Sequence, residues 1–140
     1  MTDQEKTGSV FILLRPDGTI LMQLRDENYR FPNTWGFPGG GKEEGEDYID
    51  TAIREAYEEY EIKLEGIASE LVAIYSMPGV FKDSRVFLFR ISADQEPVMH
   101  EGAGMKWMRF QEIETLELGN AQRSFLPQLK AILDQPHGQQ

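Results

Sequence analysis

The chain of 140 residues is acidic, with 24 Asp and Glu residues against 14 Lys and Arg residues and a net charge of −10. A surface for a nucleic-acid polymer would need a basic patch, so this charge argues against that class of partner. The sequence contains no cysteine, which excludes disulfides, zinc–thiolate sites and thiol nucleophiles.

No apolar run approaches the ~18 residues of a membrane span, so we expect no membrane partner. The N-terminal stretch MTDQEKTGSV has neither the basic region nor the apolar core of a signal peptide. We therefore expect a cytoplasmic protein. The length predicts one domain over 1–140, with frayed tails at about 1–7 and 135–140.

Strands and turns are predicted first along the chain. The apolar run 9–14 has the length of a strand, and a turn at 15–18 leads into a second strand at 19–25. After a polar loop, the segment WGFPGGG at 35–41 reads as extended backbone that ends in glycines. The two tryptophans, Trp35 and Trp107, are interpreted as core residues rather than as stacking surfaces for a base.

The clearest predicted helix runs from about 47 to 60, with Asp47 as its N-cap. Apolar residues recur at helical spacing on one of its faces, at Ile49, Ala52, Ile53, Ala56 and Tyr60. Further strands are predicted at 71–75, 85–91 and 104–110, followed by a C-terminal helix at about 126–133 that begins near Pro127. This alternation predicts an α/β fold with a mixed sheet.

A group of carboxylates lies on the other face of the predicted helix. Glu55, Glu58 and Glu59 stand at positions i, i+3 and i+4, so they share one face. Carboxylates that converge in this way suit Mg²⁺ or Mn²⁺, and the glycines at 39–41 allow backbone to approach a metal or a phosphate closely. A solvated acidic helix would explain the carboxylates but would leave the glycines unexplained.

The segment from Gly36 to Ile62 resembles the Nudix box, G-x5-E-x7-R-E-U-x-E-E-x-G-U, in which U is aliphatic. Gly40 and Glu46 match its first two fixed positions, and Arg54-Glu55 and Glu58-Glu59 match the rest of its charged positions. The sequence departs from the motif at Ala56, which is small, and at Glu61, where the family usually has glycine. Glu61 therefore implies either a longer helix or a left-handed helix end that costs roughly 1 kcal/mol.

The resemblance implies the Nudix α/β/α sandwich, with the mixed sheet between helices, and a pyrophosphohydrolase that uses Mg²⁺, with Mn²⁺ as a substitute. Arg54 is expected to pair with Glu46 and to brace the loop against the helix. Glu55 is the first choice for the base that takes a proton from the attacking water, and Glu101 is the second choice. The residues implied to bind the metal are Gly39, Glu55, Glu58, Glu59 and Glu101.

The sequence predicts the substrate-binding residues less specifically than the metal-binding residues. Arg25 and Lys42 are candidates for holding a phosphate, with solvated side chains as the alternative for both. Tyr75 and Phe81 are candidates for stacking on a base, with core packing as the alternative. Asn120 lies where some MutT-type members read a purine, and His100 is interpreted as a loop residue.

Several functions remain open at this stage. A MutT-like nucleoside triphosphatase that releases a monophosphate and pyrophosphate is favoured. Pro78 resembles the downstream proline of ADP-ribose pyrophosphatases, although a Pro-Gly turn explains it equally well. A nucleotide-sugar substrate and a binding module that has lost catalysis are the remaining alternatives. We expect a small-molecule nucleotide as the partner, and a monomer or a homodimer.

Overall fold

The computed structural model describes residues 7–26 and 33–135 of the chain. Within these residues the strands are β1 (Gly8–Leu14), β2 (Ile20–Leu24), β3 (Trp35–Gly36), β4 (Gly39–Gly41), β5 (Ser69–Met77), β6 (Phe81–Arg90) and β7 (Gly104–Met108). The α-helices are α1 (Tyr48–Tyr60), α2 (Phe110–Ile113) and α3 (Leu126–Leu133), and a 3-10 helix at Gln122–Phe125 leads into α3. None of the helices in these two ranges is long and apolar enough to cross a membrane.

The strands form one mixed sheet in the order β3-β2-β1-β6-β5. β1 runs parallel to β6 and antiparallel to both β2 and β4. β7 pairs antiparallel with β2, and β5 and β6 form an antiparallel hairpin. The predicted mixed sheet is therefore confirmed.

Helices cover both faces of this sheet, and β1 shows how the sequence achieves it. Val10 and Ile12 point into a core that α3 covers, whereas Phe11 and Leu13 point into a second core that α1 covers. All of these side chains are buried, and full burial of one such side chain contributes about 1.5–3 kcal/mol. Because successive residues of a strand face opposite ways, a continuous apolar run indicates a strand with a core on each side. The expected α/β/α sandwich is confirmed.

Helix α1 begins as the sequence predicts. The Asp50 N–H donates to Asp47 Oδ1 at 2.9 Å, and the Asp47 N–H donates to Asp50 Oδ2 at 3.2 Å, which together form a capping box. The predicted apolar stripe packs on the second core. The helix ends at Tyr60, and Glu61 takes a left-handed conformation with φ 57° and ψ 28°. Of the two outcomes expected at Glu61, the shorter helix with a strained end is the one present.

Some predicted boundaries differ from the structure. β5 ends at Met77 and β6 begins at Phe81, beyond the predicted 75 and 85, because their hairpin continues to a turn at Pro78 and Gly79, whereas β6 ends at Arg90, one residue before the predicted 91. The strand predicted at 104–110 ends at Met108, since Phe110 begins α2. α2 and the 3-10 helix were not predicted, whereas α3 has the predicted bounds. The tails predicted to fray lie outside the described residues except for Thr7 and Gln135.

Both tryptophans are partly buried against the cores, as predicted. Trp35 packs on the core under α3, and Trp107 packs on the core under α1. The Arg15 guanidinium lies 3.9 Å from the centre of the Trp107 ring, which is a cation–π contact.

Candidate active site

A buried carboxylate stands at the centre of the candidate site. Glu59 is 3% exposed, and its Oε1 atom has no hydrogen-bond partner among the described residues. Burial, a hydrogen bond with the Glu55 carboxyl and the negative charges of Glu101 and Glu55 raise the pKa of Glu59 to about 10, against a smaller opposing effect of Arg25. Helix α1, the 100–103 loop and the end of β2 therefore bring these four side chains together.

The Glu55 carboxylate packs against Gly40. A Cβ atom on Gly40 would lie 2.2 Å from Glu55 Cδ, so the carboxylate packs directly on the bare Cα. At Gly39 a Cβ would lie 2.5 Å from the Ser9 carbonyl oxygen, because β4 pairs closely with β1 there. The glycines thus allow α1 and β1 to approach β4, a role that the sequence did not predict.

Arg54 connects helix α1 to the loop between Gly41 and Glu46. Its Nε and Nη2 donate to the two oxygens of Glu46 at 2.6 and 3.1 Å, and Nη2 also donates to the Gly41 carbonyl at 2.9 Å. The hydrogen bond from Arg54, together with one from the Glu43 N–H, lowers the pKa of Glu46 to about 2. The same pairing raises the pKa of Arg54 above its ordinary value. The structure contains the ion pair between Arg54 and Glu46 that the resemblance implied.

Arg54 also contacts two of the carboxylates expected to bind metal. Its Nη1 lies 3.0 Å from Glu55 Oε2 and 3.2 Å from Glu58 Oε1. The Glu58 side chain is 58% exposed, whereas that of Glu55 is 15% exposed. The expected convergence of the α1 carboxylates is thus realised for Glu55 and Glu59, while Glu58 lies at the solvent edge.

A cavity of about 410 Å³ opens beside these groups. Most of the residues that the sequence proposed outside α1 line it, namely Arg25, Gly39, Tyr75, Phe81, Glu101 and Asn120. Arg25 is 5% exposed, so the alternative of a solvated arginine is wrong for this residue. The cavity is therefore lined by a buried arginine, Arg25, and by one carboxylate, Glu101, and the residue Gly40 that packs on Glu55 also lines it.

The apolar wall of the cavity is aromatic. The Tyr75 ring meets Phe81 edge-on at 5.0 Å between centroids, and it meets Phe125 in the same way at 5.0 Å. Burial raises the pKa of the Tyr75 phenol to about 12, against the opposing effect of a hydrogen bond with Gln122. Tyr75 and Phe81 both pack on a neighbouring ring and line the cavity, so the two interpretations of these residues are compatible.

Lys42 differs from its prediction. Its Nζ donates to the Glu46 carbonyl at 2.6 Å and lies 5.1 Å from the centre of the Tyr48 ring. Lys42 is not one of the described residues that line the cavity. The position of Lys42 therefore does not support the expected contact with a phosphate, because its ammonium bonds to the Glu46 carbonyl instead.

Two buried glutamines belong to the site and were missed. Gln122 accepts from the Phe37 N–H at 2.8 Å and donates to the Phe37 carbonyl at 3.2 Å, so its amide pairs with backbone as a neighbouring strand would. Gln23 Nε2 donates to the Glu101 carbonyl at 3.1 Å. Each contact joins residues far apart in the chain, and no local sequence pattern signals such a pair.

A family model described as the Nudix domain matches residues 5–129. The chain belongs to the Nudix family. A Nucleoside triphosphate pyrophosphatase/Nudix hydrolase fusion protein of Bifidobacterium longum is 32% identical over 120 residues, which are 83% of this chain and 24% of that protein. An RNA pyrophosphohydrolase of Pelagibacter ubique is 36% identical over 58 residues, which are 41% of this chain and 35% of that protein. The chain thus spans a minor part of the length of both relatives.

Solved structures agree on the fold. The MutT protein of Methanosarcina mazei superposes with a TM-score of 0.76 at 18% identity, over 96% of this chain and 99% of that chain. The relatives named above are a pyrophosphatase fusion and a pyrophosphohydrolase. Both names describe hydrolases that act on phosphoric anhydride bonds, which is the enzyme class expected from the family.

Members of the Nudix family use divalent metals, and the donor set of this chain fits such a cation. Among residues 7–26 and 33–135, no three acidic, histidine or cysteine side chains already form a metal-ligating group. The fit rests instead on Glu59, whose buried Oε1 has no hydrogen-bond partner within these two ranges and whose negative charge is disfavoured by the nearby charges of Glu55 and Glu101. Oxygen donors of this kind suit Mg²⁺ and Mn²⁺. A cation there would compete with Arg54 for Glu55 and Glu58.

Proposed function

We propose that this chain is a Mg²⁺-dependent Nudix pyrophosphohydrolase that acts on a small nucleotide, and that Mn²⁺ can replace Mg²⁺. The observation that carries the proposal is the buried Glu59 carboxylate, which has an oxygen without a hydrogen-bond partner among the described residues and lies beside Glu55 and the cavity-lining Glu101. A protein selected only for stability would rarely bury an uncompensated carboxylate beside two others, because burial strongly disfavours the charged form. A divalent cation removes that cost.

The residues would divide the work as follows. Glu55, Glu58, Glu59, Glu101 and the Gly39 carbonyl would hold the cation, which supplies charge neutralisation and acidifies water when it is bound. Glu55 would accept the proton of the attacking water, since its carboxylate is fixed on Gly40 by the rigid helix. Water adds across one P–O–P linkage. The attacked phosphorus gains the oxygen of the water, and the leaving phosphate keeps the bridging oxygen of the broken linkage. Arg25 would face the phosphates from inside the cavity.

For the substrate we favour a nucleoside triphosphate, cleaved to a nucleoside monophosphate and pyrophosphate. The aromatic wall of Tyr75 and Phe81 supplies a surface on which a base can stack, and Asn120 lines the same cavity. Cytoplasmic location and a monomeric or homodimeric state remain predictions from the sequence.

The ADP-ribose alternative rested on Pro78. In the structure, Pro78 and Gly79 lie in the turn between β5 and β6, with Gly79 at φ +81° and the Val80 N–H donating to the Met77 carbonyl at 2.9 Å. The hairpin thus accounts for the proline by itself. The non-catalytic alternative is opposed by the box, in which every carboxylate is present.

A substrate panel with Mg²⁺ tests the proposal. We expect hydrolysis of nucleoside triphosphates with pyrophosphate as product, and slower hydrolysis of ADP-ribose, nucleotide sugars and dinucleoside polyphosphates. Glu58→Gln and Glu59→Gln should lower turnover by about 100-fold or more, as loss of a metal ligand does. Glu65→Gln removes the same charge from an exposed residue outside the site and should behave as wild type.

Different outcomes separate the alternatives. Faster hydrolysis of ADP-ribose than of any triphosphate would select the second substrate class. Release of orthophosphate alone from a triphosphate would contradict the proposed reaction. Normal turnover of Glu59→Gln at saturating Mg²⁺ would remove Glu59 from the site.

A further inference from the structure

The end of helix α1 contains a strained residue with an unusual contact. Glu61 is left-handed, with φ 57° and ψ 28°, where glycine would be free of steric strain. Its side chain makes a contact that glycine could not make, because Glu61 Oε2 lies 2.6 Å from His100 Nε2. A carboxylate can only accept, so the imidazole Nε2–H donates. Strain of this kind persists where surrounding contacts fix the residue.

The backbone near His100 is fastened to the same helix end. The His100 N–H donates to the Glu59 carbonyl at 2.8 Å, and the Val98 N–H donates to the Tyr60 carbonyl at 2.9 Å. The last carbonyls of a helix have no partner within the helix, so these two bonds satisfy them. Residue 100 is therefore held to α1 through both its backbone and its ring.

The backbone on the other side of Glu101 is held by β2. The Glu101 carbonyl accepts from Gln23 Nε2 at 3.1 Å, and the Ala103 N–H donates to the Leu24 carbonyl at 2.8 Å. Gly102, at φ +95°, leaves room for the glutamine, since a Cβ there would lie 2.8 Å from Gln23 Nε2. Glu101 thus lies between one attachment to α1 and another to β2.

We propose that Glu61 and His100 are positioning residues, whose hydrogen bond fixes the backbone before Glu101 and so holds the Glu101 carboxylate beside Glu59 at the cavity. The proposal rests on the proposed function, which gives Glu101 its role. The Glu61 and His100 side chains are 44% and 48% exposed, and exposed pairs contribute little to global stability. Their effect should therefore appear in the placement of Glu101 and not in the folding of the domain.

The test separates strain relief from loss of the contact. Glu61→Gly removes both the strain and the carboxylate, so its melting temperature should equal or exceed that of wild type while kcat falls about tenfold with little change in KM. Glu61→Gln retains an acceptor for the imidazole and should keep most of the wild-type kcat. Asp83→Gly is the matched control, because Asp83 is also left-handed at φ 53°, is exposed, and does not itself line the cavity. Its kcat should equal that of wild type.

A second readout does not depend on activity. In the metal-free protein, amide hydrogen exchange at His100 should be about tenfold faster in Glu61→Gly and in His100→Gln than in wild type, because its bond to the Glu59 carbonyl opens more often. The double variant Glu61→Gly/His100→Gln should be no worse in kcat than either single variant, since both remove one contact. Glu61→Gly should likewise add nothing to the defect of Glu101→Gln.

The outcomes distinguish the two proposals. Unchanged exchange at His100 in Glu61→Gly, or full kcat in that variant while Glu101→Gln is impaired, would overturn the positioning role and leave the proposed function standing. Additive kcat losses in the double variants would overturn it as well. If the wild-type protein hydrolyses no nucleotide in the panel, the proposed function fails, and the exchange rates still decide whether Glu61 and His100 fix this backbone.

Discussion

At the scale of single residues, the environment of each carboxylate suggests a different role. Glu46 accepts two hydrogen bonds from Arg54, which lowers its pKa to about 2, so it remains a charged brace. Glu59 is buried, and its Oε1 has no hydrogen-bond partner in the part of the chain that the structure describes, so Glu59 has the strongest need for a cation. Glu55 packs on Gly40 and lies 3.0 Å from Arg54 Nη1. It therefore shares Arg54 with Glu46 and makes a hydrogen bond with Glu59.

The choice between Glu55 and Glu101 as the base can be tested by metal rescue. A residue that only binds the cation affects its occupancy, so more Mg²⁺ should partly restore turnover of the variant. A residue that takes the proton leaves a defect in kcat that no concentration of Mg²⁺ repairs. We expect Glu55→Gln to stay impaired by about 100-fold or more across a Mg²⁺ titration, and we expect the milder defect of Glu101→Gln to shrink. A deeper and unrescued defect in Glu101→Gln would reverse the assignment.

At the scale of elements, strand β4 joins the two halves of the site. It is three residues long, Gly39–Gly41, and pairs antiparallel with the start of β1. Its glycines differ in their surroundings. A Cβ on Gly40 would meet Glu55 Cδ at 2.2 Å, whereas a Cβ on Gly41 would meet only the Thr7 carbonyl oxygen at 4.0 Å. Strand β4 therefore contains one position that fixes a carboxylate and a neighbouring position that is sterically free.

A pair of alanine variants makes use of this difference. Gly40→Ala should displace the Glu55 side chain at little cost in the free energy of unfolding, because the atoms that must move are the far end of a flexible side chain. Its turnover should fall by about 100-fold, because a small displacement of a reacting group is costly. Gly41→Ala should keep near-normal turnover and stability, since its Cβ is accommodated. Denaturant unfolding and steady-state kinetics measure both effects. Equal behaviour of the two variants would contradict the packing of Glu55 on Gly40.

The elements also show how far the sequence alone could lead. Helix α1 and its cap were predictable because local periodicity and a side-chain cap determine them. The burial of Arg25 and the pairing of Gln122 with Phe37 were not predictable, because each depends on contacts between residues far apart in the chain. At Glu61, the sequence was compatible with either a longer helix or a left-handed helix end. The shorter helix is present, and residues 98 and 100 donate hydrogen bonds to the carbonyls of its last turn.

At the scale of the whole molecule, the charge and the fold combine at one place. The net charge of −10 opposes the approach of a polyphosphate and disfavours the compact state through self-repulsion. The sheet with helices on both faces brings β2, β4 and the 100–103 loop to the same cavity, and Glu55 of α1 packs on Gly40 beside it. A divalent cation at Glu59 would offset both effects, so the stability of the whole domain should report its binding.

The dependence of stability on pH follows from Glu59. In the metal-free protein its pKa is raised from 4.5 to about 10. A group whose pKa is higher in the folded state contributes stability that is complete below the unfolded value and is lost as pH rises towards the folded value. Glu46, with a pKa lowered from 4.5 to about 2, contributes stability that is lost only as pH falls below 4.5. Between about pH 5 and pH 9, Glu59 should therefore dominate, and metal-free stability should fall with pH by at most about 1.4 kcal/mol per unit.

Thermal melts with and without Mg²⁺ provide the measurement. Because the cation requires the charged form of Glu59, Mg²⁺ should raise the melting temperature more at pH 8.5 than at pH 5.5. At 100 times Kd the gain is about 2.7 kcal/mol, and NaCl at equal ionic strength controls for general screening of the negative charge. Glu59→Gln should flatten the pH dependence and abolish the Mg²⁺-specific gain, while Glu65→Gln should preserve both. An equal shift with NaCl and Mg²⁺, or a wild-type response in Glu59→Gln, would show that the cation acts on the overall charge and not at this carboxylate.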